Sequence, residues 1–332
     1  MNKTSIEWTH RPETGGEGFT WNPIRARNKE TGKVGTFCTH ASPGCLHCYA
    51  ELIGKRFGTG LDFNVPNLEK IEFFIDEKIL EEPLRRKKPA TIFVGDMFDL
   101  FHEHIPVVFL GRVFGMMAKC PQHTFQLLTK RAEYMQAILS RAVKYNDKYI
   151  STPLPNVWLG VSIESPDYEK RIIDLLATPA AVRFLSIEPQ LAEVNAHLGE
   201  ENCLHPSLDG LEDTETVWEC NVCKGWLRSE QIPGKPGYYV RHVGIDQVIV
   251  GGESGQGARI YKLEWATSQR KQCERAGVAF FMKQIGSNPE WPNEYWFGLQ
   301  PPKLKDSKGG DPSEWPEALR VRKFPSERLV SA

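Results

Sequence analysis

The sequence predicts an α/β fold built on parallel strands, either a sheet or a (β/α) barrel. Three observations carry this: short apolar runs, helical segments between them, and a regular spacing. The runs are Thr91–Gly95, Phe125–Thr129, Val157–Val161, Arg183–Ile187, Gln247–Gly251 and Ala279–Lys283. Their length and β-branched content suit strands buried on both faces. Between them, Val107–Lys119, Arg131–Lys144, Tyr168–Ala177 and Leu263–Ala276 place apolar residues at helical spacing. Strand centres step by about 34, 32, 26, 64 and 32 residues, the beat of repeated βα units.

Each run ends in polar residues. Gly95, Asp96 and Asp99 close the first, Lys130 and Arg131 the second, Ser162 and Glu164 the third. Glu188 follows the fourth, Gly252-Glu253-Ser254 the fifth and Gln284 the sixth. A barrel builds its site at the C-terminal ends of its strands, which this pattern fits. The double-length step marks an insertion at 196–243. It divides the chain into an N-terminal α/β part (1–195), the insertion, a C-terminal α/β part (244–286) and a Pro- and Trp-rich extension (287–332).

The chain has 332 residues, enough for one large α/β domain or two ordinary ones. Its formal charge of −1 excludes a chain-wide electrostatic grip on nucleic acid or an acidic membrane. Any such contact would be local, near Lys130, Arg131 and the insertion. The N-terminus has no apolar core typical of a secretory signal, and no run approaches the ~18 apolar residues of a membrane span. A cytoplasmic, reducing location is expected. There, closely spaced cysteines read as metal ligands or reactive thiols before disulfides.

Three of the eight cysteines, Cys38, Cys45 and Cys48, form a C-x6-C-x2-C loop with Pro43-Gly44 at its turn. Three thiolates can hold three irons of a [4Fe–4S] cluster and leave the fourth open. Helix-forming residues follow, so the last thiolates sit near a positive helix N-terminus. The same thiols with His40 or His47 would equally make a structural zinc site, and buried thiols without metal are a third reading. Cys203, His205, Cys220 and Cys223 in the insertion suit tetrahedral Zn2+, with His242 as a substitute for His205; an auxiliary iron–sulfur cluster and no metal are the alternatives. Cys120 and Cys273, in helix-like segments, read as packing thiols.

Three cysteines ahead of repeated βα units resemble the radical S-adenosylmethionine superfamily. The chain matches the second half of that family's C-x3-C-x-φ-C loop, with His47 at φ, and departs in its longer first spacing. Thr4–Thr9, Pro43–Ala50 and Gly251–Gly255 further resemble a phage- and prophage-associated family whose members often accompany a three-Cys-motif partner protein. The resemblance implies a partial (β/α)6 barrel with a small zinc-binding-like insertion, a [4Fe–4S] cluster, S-adenosylmethionine and an electron donor. It also implies a shielded site in which a 5′-deoxyadenosyl radical meets only its substrate. Within it, Gly95 and Asp96 are expected at the methionyl amine, Lys130 and Arg131 at a carboxylate or phosphate, and Ser162 and Glu164 at ribose hydroxyls. Glu188 and Glu253 remain for substrate or proton transfer. The association with phage biology and the zinc-like module point to a nucleobase or nucleic acid as substrate. Two other classes compete: a non-catalytic zinc-binding protein serving a partner, and a non-radical barrel enzyme using Glu188 and Glu253 as acid and base.

Overall fold

The computed structural model describes residues 1–141, 152–198, 244–292 and 302–325, and the backbone of five further strands between them. The chain is a mixed α/β protein whose main strands are mostly parallel. It divides into unit 1, Met1–Ser162 with Pro179–Val182 and Val330–Ala332, and unit 2, Ile163–Thr178 with Arg183–Leu329. All six apolar runs form strands. Among the described residues, no helix is long and apolar enough to cross a membrane.

The strands of unit 1 are β1 (Asn2–Lys3), β2 (Gly18–Trp21), β3 (Ile24–Asn28), β4 (Val34–Gly35), β5 (Ile71–Ile75), β6 (Thr91–Val94), β7 (Thr124–Thr129), β8 (Val143–Tyr145), β9 (Lys148–Ile150) and β10 (Val157–Ser162). Its helices are α1 (Tyr49–Phe57), α2 (Glu77–Leu80), α3 (Glu82–Arg85), α4 (Val107–Ala118) and α5 (Ala132–Leu139). The main sheet runs β1-β2-β6-β7-β10, parallel except for β1. In register across it, Trp21, Val94, Leu127 and Leu159 form one buried row. A second sheet, β4-β3-β5, is antiparallel and lies in sequence between β2 and β6.

The N-terminal segment closes one end of the main sheet. Trp8 is buried edge-on to Phe93, and the Gln126 side chain donates to its carbonyl. Arg11 bonds Thr124 and Thr14 bonds Thr91, at the first residues of β7 and β6. The opposite, C-terminal ends of the strands are left for the cysteine loop.

The helix expected over Arg131–Lys144 stops at Leu139, and β8 and β9 follow as an antiparallel ribbon. Val143 and Tyr145 are residue types of high strand propensity, and here that preference overrides helical spacing.

Unit 2 contains α6 (Lys170–Ala177), β11 (Val182–Ile187), β12 (Val217–Glu219), β13 (Trp226–Gln231), β14 (Tyr238–His242), β15 (Gln247–Gly251), β16 (Tyr261–Lys262), α7 (Leu263–Ala276), β17 (Ala279–Gln284) and β18 (Pro289–Glu290). Strands β11, β15 and β17 are parallel in that order, with Leu185, Val248 and Phe280 in register. In the insertion, β12, β13 and β14 form an antiparallel sheet. The zinc ligands expected there, Cys203, His205, Cys220 and Cys223, lie outside the described residues. The C-terminal extension runs along β17: Met282 donates to Val321, Lys323 to Phe280, and buried Trp315 to Gly309. Cys120 in unit 1 and Cys273 in unit 2 are both fully buried.

Candidate functional site

The cysteine loop is anchored by its neighbours. Phe37 packs with Phe63, Ala26, Ala50 and Ile71 in a small core, and Cys38 and Cys48 lean against that core half-buried. Pro43–Cys45 makes one 3-10 turn, with the Cys45 amide donating to Ser42 O. The Ala41 amide donates to Cys45 Sγ at 3.4 Å. Cys48 has extended backbone and occupies the position just before α1, without a side-chain cap bond. Burial pushes the Cys38 thiol up to about 12 against the opposing pull of Arg131. Burial also raises Cys48, opposed by the amides of Glu51 and Ala50. Cys45 lies within electrostatic reach of both other thiols.

Arg131, just after β7, is buried and joins this loop to two strand ends. Its Nε donates to Glu103 at 2.9 Å and its Nη1 to Asp99 at 3.1 Å. Nη2 donates to both the carbonyl and the hydroxyl of Thr39 at 2.9 Å, and Nη1 approaches Cys38 Sγ at 3.8 Å. Asp99 is itself fixed: Oδ1 accepts from the Thr129 hydroxyl and the Phe101 amide, and Oδ2 from the Lys130 amide. His102 Nδ1 accepts from the His104 amide, which leaves its Nε2–H facing the Thr39 hydroxyl at 2.9 Å. Burial, and then the Arg131 charge, depress His102 to about 4, so its ring is neutral at neutral pH.

The other unit 1 candidates stand around this junction. Gly95 ends β6 with φ +78°, a left-handed turn where a Cβ would press on Phe98 O at 3.0 Å. Asp96 follows; its Oδ1 accepts from Asn22 at 2.7 Å and its carbonyl from the Tyr49 hydroxyl at 2.6 Å. Burial raises the Asp96 carboxyl, opposed by Asn22 and Thr20. Lys130 is half-buried, and Ser162 is buried at the end of β10. His40, a possible zinc ligand, is bonded to Glu51 at 2.7 Å.

In unit 2 two of the candidate acids pair with an arginine a few residues on, and Glu188 faces a distant lysine. Glu164 is fully buried and accepts from Arg171 at 3.0 Å. Glu253 takes three bonds from Arg259: the amide and Nε at 2.9 Å and Nη2 at 2.6 Å. Glu188 lies 3.4 Å from Lys283 Nζ and 3.4 Å from the Ser186 hydroxyl. A Cβ on Gly251 would meet Glu188 Oε1 at 2.3 Å, the movable end of a side chain, whereas a Cβ on Gly252 would meet the Ile285 carbonyl at 2.7 Å, so close backbone packing requires glycine at 252. Buried Tyr261 has its phenol raised by burial and by the Glu188 charge.

Sequence reasoning assigned no site role to Asp99, Thr39, Glu103, His102 or Tyr49. Asp99 carried the one available signal, a second acid after an apolar run. Nothing local marks Thr39 or Glu103, whose partner Arg131 is far along the chain.

Three thiols lie on this one loop, one of them at a helix start and one beside a guanidinium. Among the described residues, no three His, Cys, Asp or Glu side chains are grouped to hold a metal ion. A family model described as "Protein of unknown function (DUF5131)" matches residues 3–314. No curated protein and no solved structure matches the chain.

Proposed function

The chain belongs to the family described as "Protein of unknown function (DUF5131)", and we propose that it is a radical S-adenosylmethionine enzyme. One observation carries this reading. The cysteine loop is bonded to the C-terminal ends of two adjacent parallel strands, through Arg131 after β7 and through Asp96 after β6. Strand ends are where α/β folds perform chemistry. The same reading takes the parallel strands as parts of a partial (β/α)6 barrel.

Cys38, Cys45 and Cys48 would hold a [4Fe–4S] cluster, which supplies one electron for reductive cleavage of S-adenosylmethionine. Three ligands leave one iron for the methionyl amine and carboxylate. Asp96, its carbonyl anchored by Tyr49 and its carboxylate by Asn22, offers a negative group for the methionyl ammonium. Lys130 offers a cation for the carboxylate or for a substrate phosphate. Arg131 is taken up by Thr39, Asp99 and Glu103, and so positions Cys38 rather than a substrate. Ser162, at the end of β10, is proposed for a ribose hydroxyl. A nucleobase or nucleic acid is the substrate class proposed, with a one-electron donor and a three-Cys-motif protein as partners.

The test is anaerobic purification and reconstitution, followed by iron, sulfide and zinc analysis. About four irons per chain are expected, with release of 5′-deoxyadenosine on reduction. Changing Cys38, Cys45 and Cys48 to Ala abolishes both. Zinc in this loop without iron would sink the proposal and favour the non-catalytic reading.

A further inference from the structure

We propose that Arg131 is a positioning residue that sets the reduction potential of the centre held by the cysteine loop, acting through the Cys38 sulfur. The inference rests on the iron–sulfur reading above and extends it to a residue that touches neither S-adenosylmethionine nor substrate.

The guanidinium is held from three sides. Glu103 takes Nε, Asp99 takes Nη1, and the Thr39 carbonyl and hydroxyl take Nη2. The remaining direction of Nη1 meets Cys38 Sγ at 3.8 Å. A planar fork fixed at three corners cannot swing away, so the contact to sulfur follows from the network. Asp99, which aims the fork, is immobilised by Thr129, Phe101 and the Lys130 amide. Thr39 is the residue after Cys38, so the same guanidinium holds the Cys38 sulfur and the backbone of the next residue.

A donor on a ligating thiolate, carrying a positive charge in a half-buried site, stabilises the more negative, reduced state. Hydrogen bonds to sulfur and local charge are recognised determinants of iron–sulfur potentials. Neutral His102 adds hydrogen-bond order to Thr39 without adding charge. Glu103 is half-exposed and bonded to the same guanidinium, so it offsets part of its charge.

The test is a redox titration of reconstituted protein followed by electron paramagnetic resonance, with iron content measured on each sample. The step read is addition of one electron, supplied by dithionite, to the oxidised centre. Arg131→Met is expected to shift the potential negative. Arg131→Lys shifts it negative by less, because the charge stays while the fork that spans Thr39 and the sulfur is lost. Glu103→Gln shifts it positive, because a negative charge is removed while the amide oxygen still accepts from Nε. Wild-type iron content with unshifted potentials in the Arg131 variants overturns the inference and leaves the iron–sulfur reading standing. Wild-type protein that takes up no iron overturns both. If the Arg131 variants do not fold, Glu103→Gln decides: a positive shift supports the inference, and no shift or a negative one overturns it.

Discussion

Asp99 in unit 1 and Glu253 in unit 2 both follow a parallel strand, are equally buried at 8% exposure, and both bind an arginine. They organise different things. Asp99 reaches Thr129, Lys130 and Arg131, which lie 30 to 32 residues along the chain, and through Arg131 it touches the cysteine loop. Glu253 takes its bonds from Arg259, six residues on, and Glu164 from Arg171, seven residues on. In unit 1 the strand-end acid is a junction between distant segments. In unit 2, Glu253 and Glu164 pin the loops that carry them. An acid after an apolar run is the same sequence signal in both; the separation of its partner tells the two apart.

The largest effect expected is at the junction. Asp99→Ala leaves a buried guanidinium without its main counter-charge, a loss of about 3–5 kcal/mol for a broken buried pair. Urea denaturation of the purified protein measures it, and iron content after reconstitution falls with it because Thr39 and Cys38 lose their brace. Glu164→Ala is the control in unit 2. It breaks a pair that is as well buried and costs a similar amount of stability, with iron retained at the wild-type level. If Glu164→Ala strips iron as Asp99→Ala does, the contrast between junction and pin fails.

A second effect is set by pH. His102 is held at about 4, below its ordinary value of 6.5. The unfolded chain therefore binds the extra proton first as pH falls. The stabilisation is complete above about 6.5 and is lost as pH drops towards 4, by up to about 3 kcal/mol for a shift of this size. Denaturation midpoints between pH 7 and 4 should fall more steeply in wild type than in His102→Gln. Equal slopes would show that the imidazole does not report on the Thr39–Arg131 network.

The parts of the molecule legible in the sequence were those fixed by local composition. Strands such as Val157–Ser162 and Gln247–Gly251 are buried along their whole length and so read as apolar runs. Strand β2, Gly18–Trp21, is equally buried but has four residues, among them Gly and Thr, and escapes that signal. Strand β3 reads Ile-Arg-Ala-Arg-Asn, with Arg27 spread over Phe74, so an antiparallel sheet between β2 and β6 went unseen. The cysteine loop declared itself by spacing. The clamp on it did not, because Thr39, Asp99, Glu103 and Arg131 meet only when two strand ends and the loop are brought together. Gly251-Gly252-Glu253 was conspicuous for the opposite reason: close packing of Gly252 on the Ile285 carbonyl and a loop-pinning pair concentrate special residues in adjacent positions.

The smallest effect is the most discriminating for unit 2. Glu253→Gln keeps an oxygen that can accept from Arg259 and removes the charge. With the Arg259 side chain partly open to solvent, the cost expected is about 1 kcal/mol, the scale of one charge-assisted hydrogen bond weakened to a neutral one. If Glu253 pins its loop, release of 5′-deoxyadenosine stays at the wild-type rate and denaturation shows the small loss. If Glu253 moves a proton in the reaction, turnover falls by about 100-fold or more, the usual contribution of a general acid or base, with stability nearly unchanged. The two readings predict opposite pairings of the same two measurements. Glu188 then becomes the acid to examine, because its ammonium partner stands at 3.4 Å rather than in a two-pronged grip, and a buried phenol, Tyr261, feels its charge.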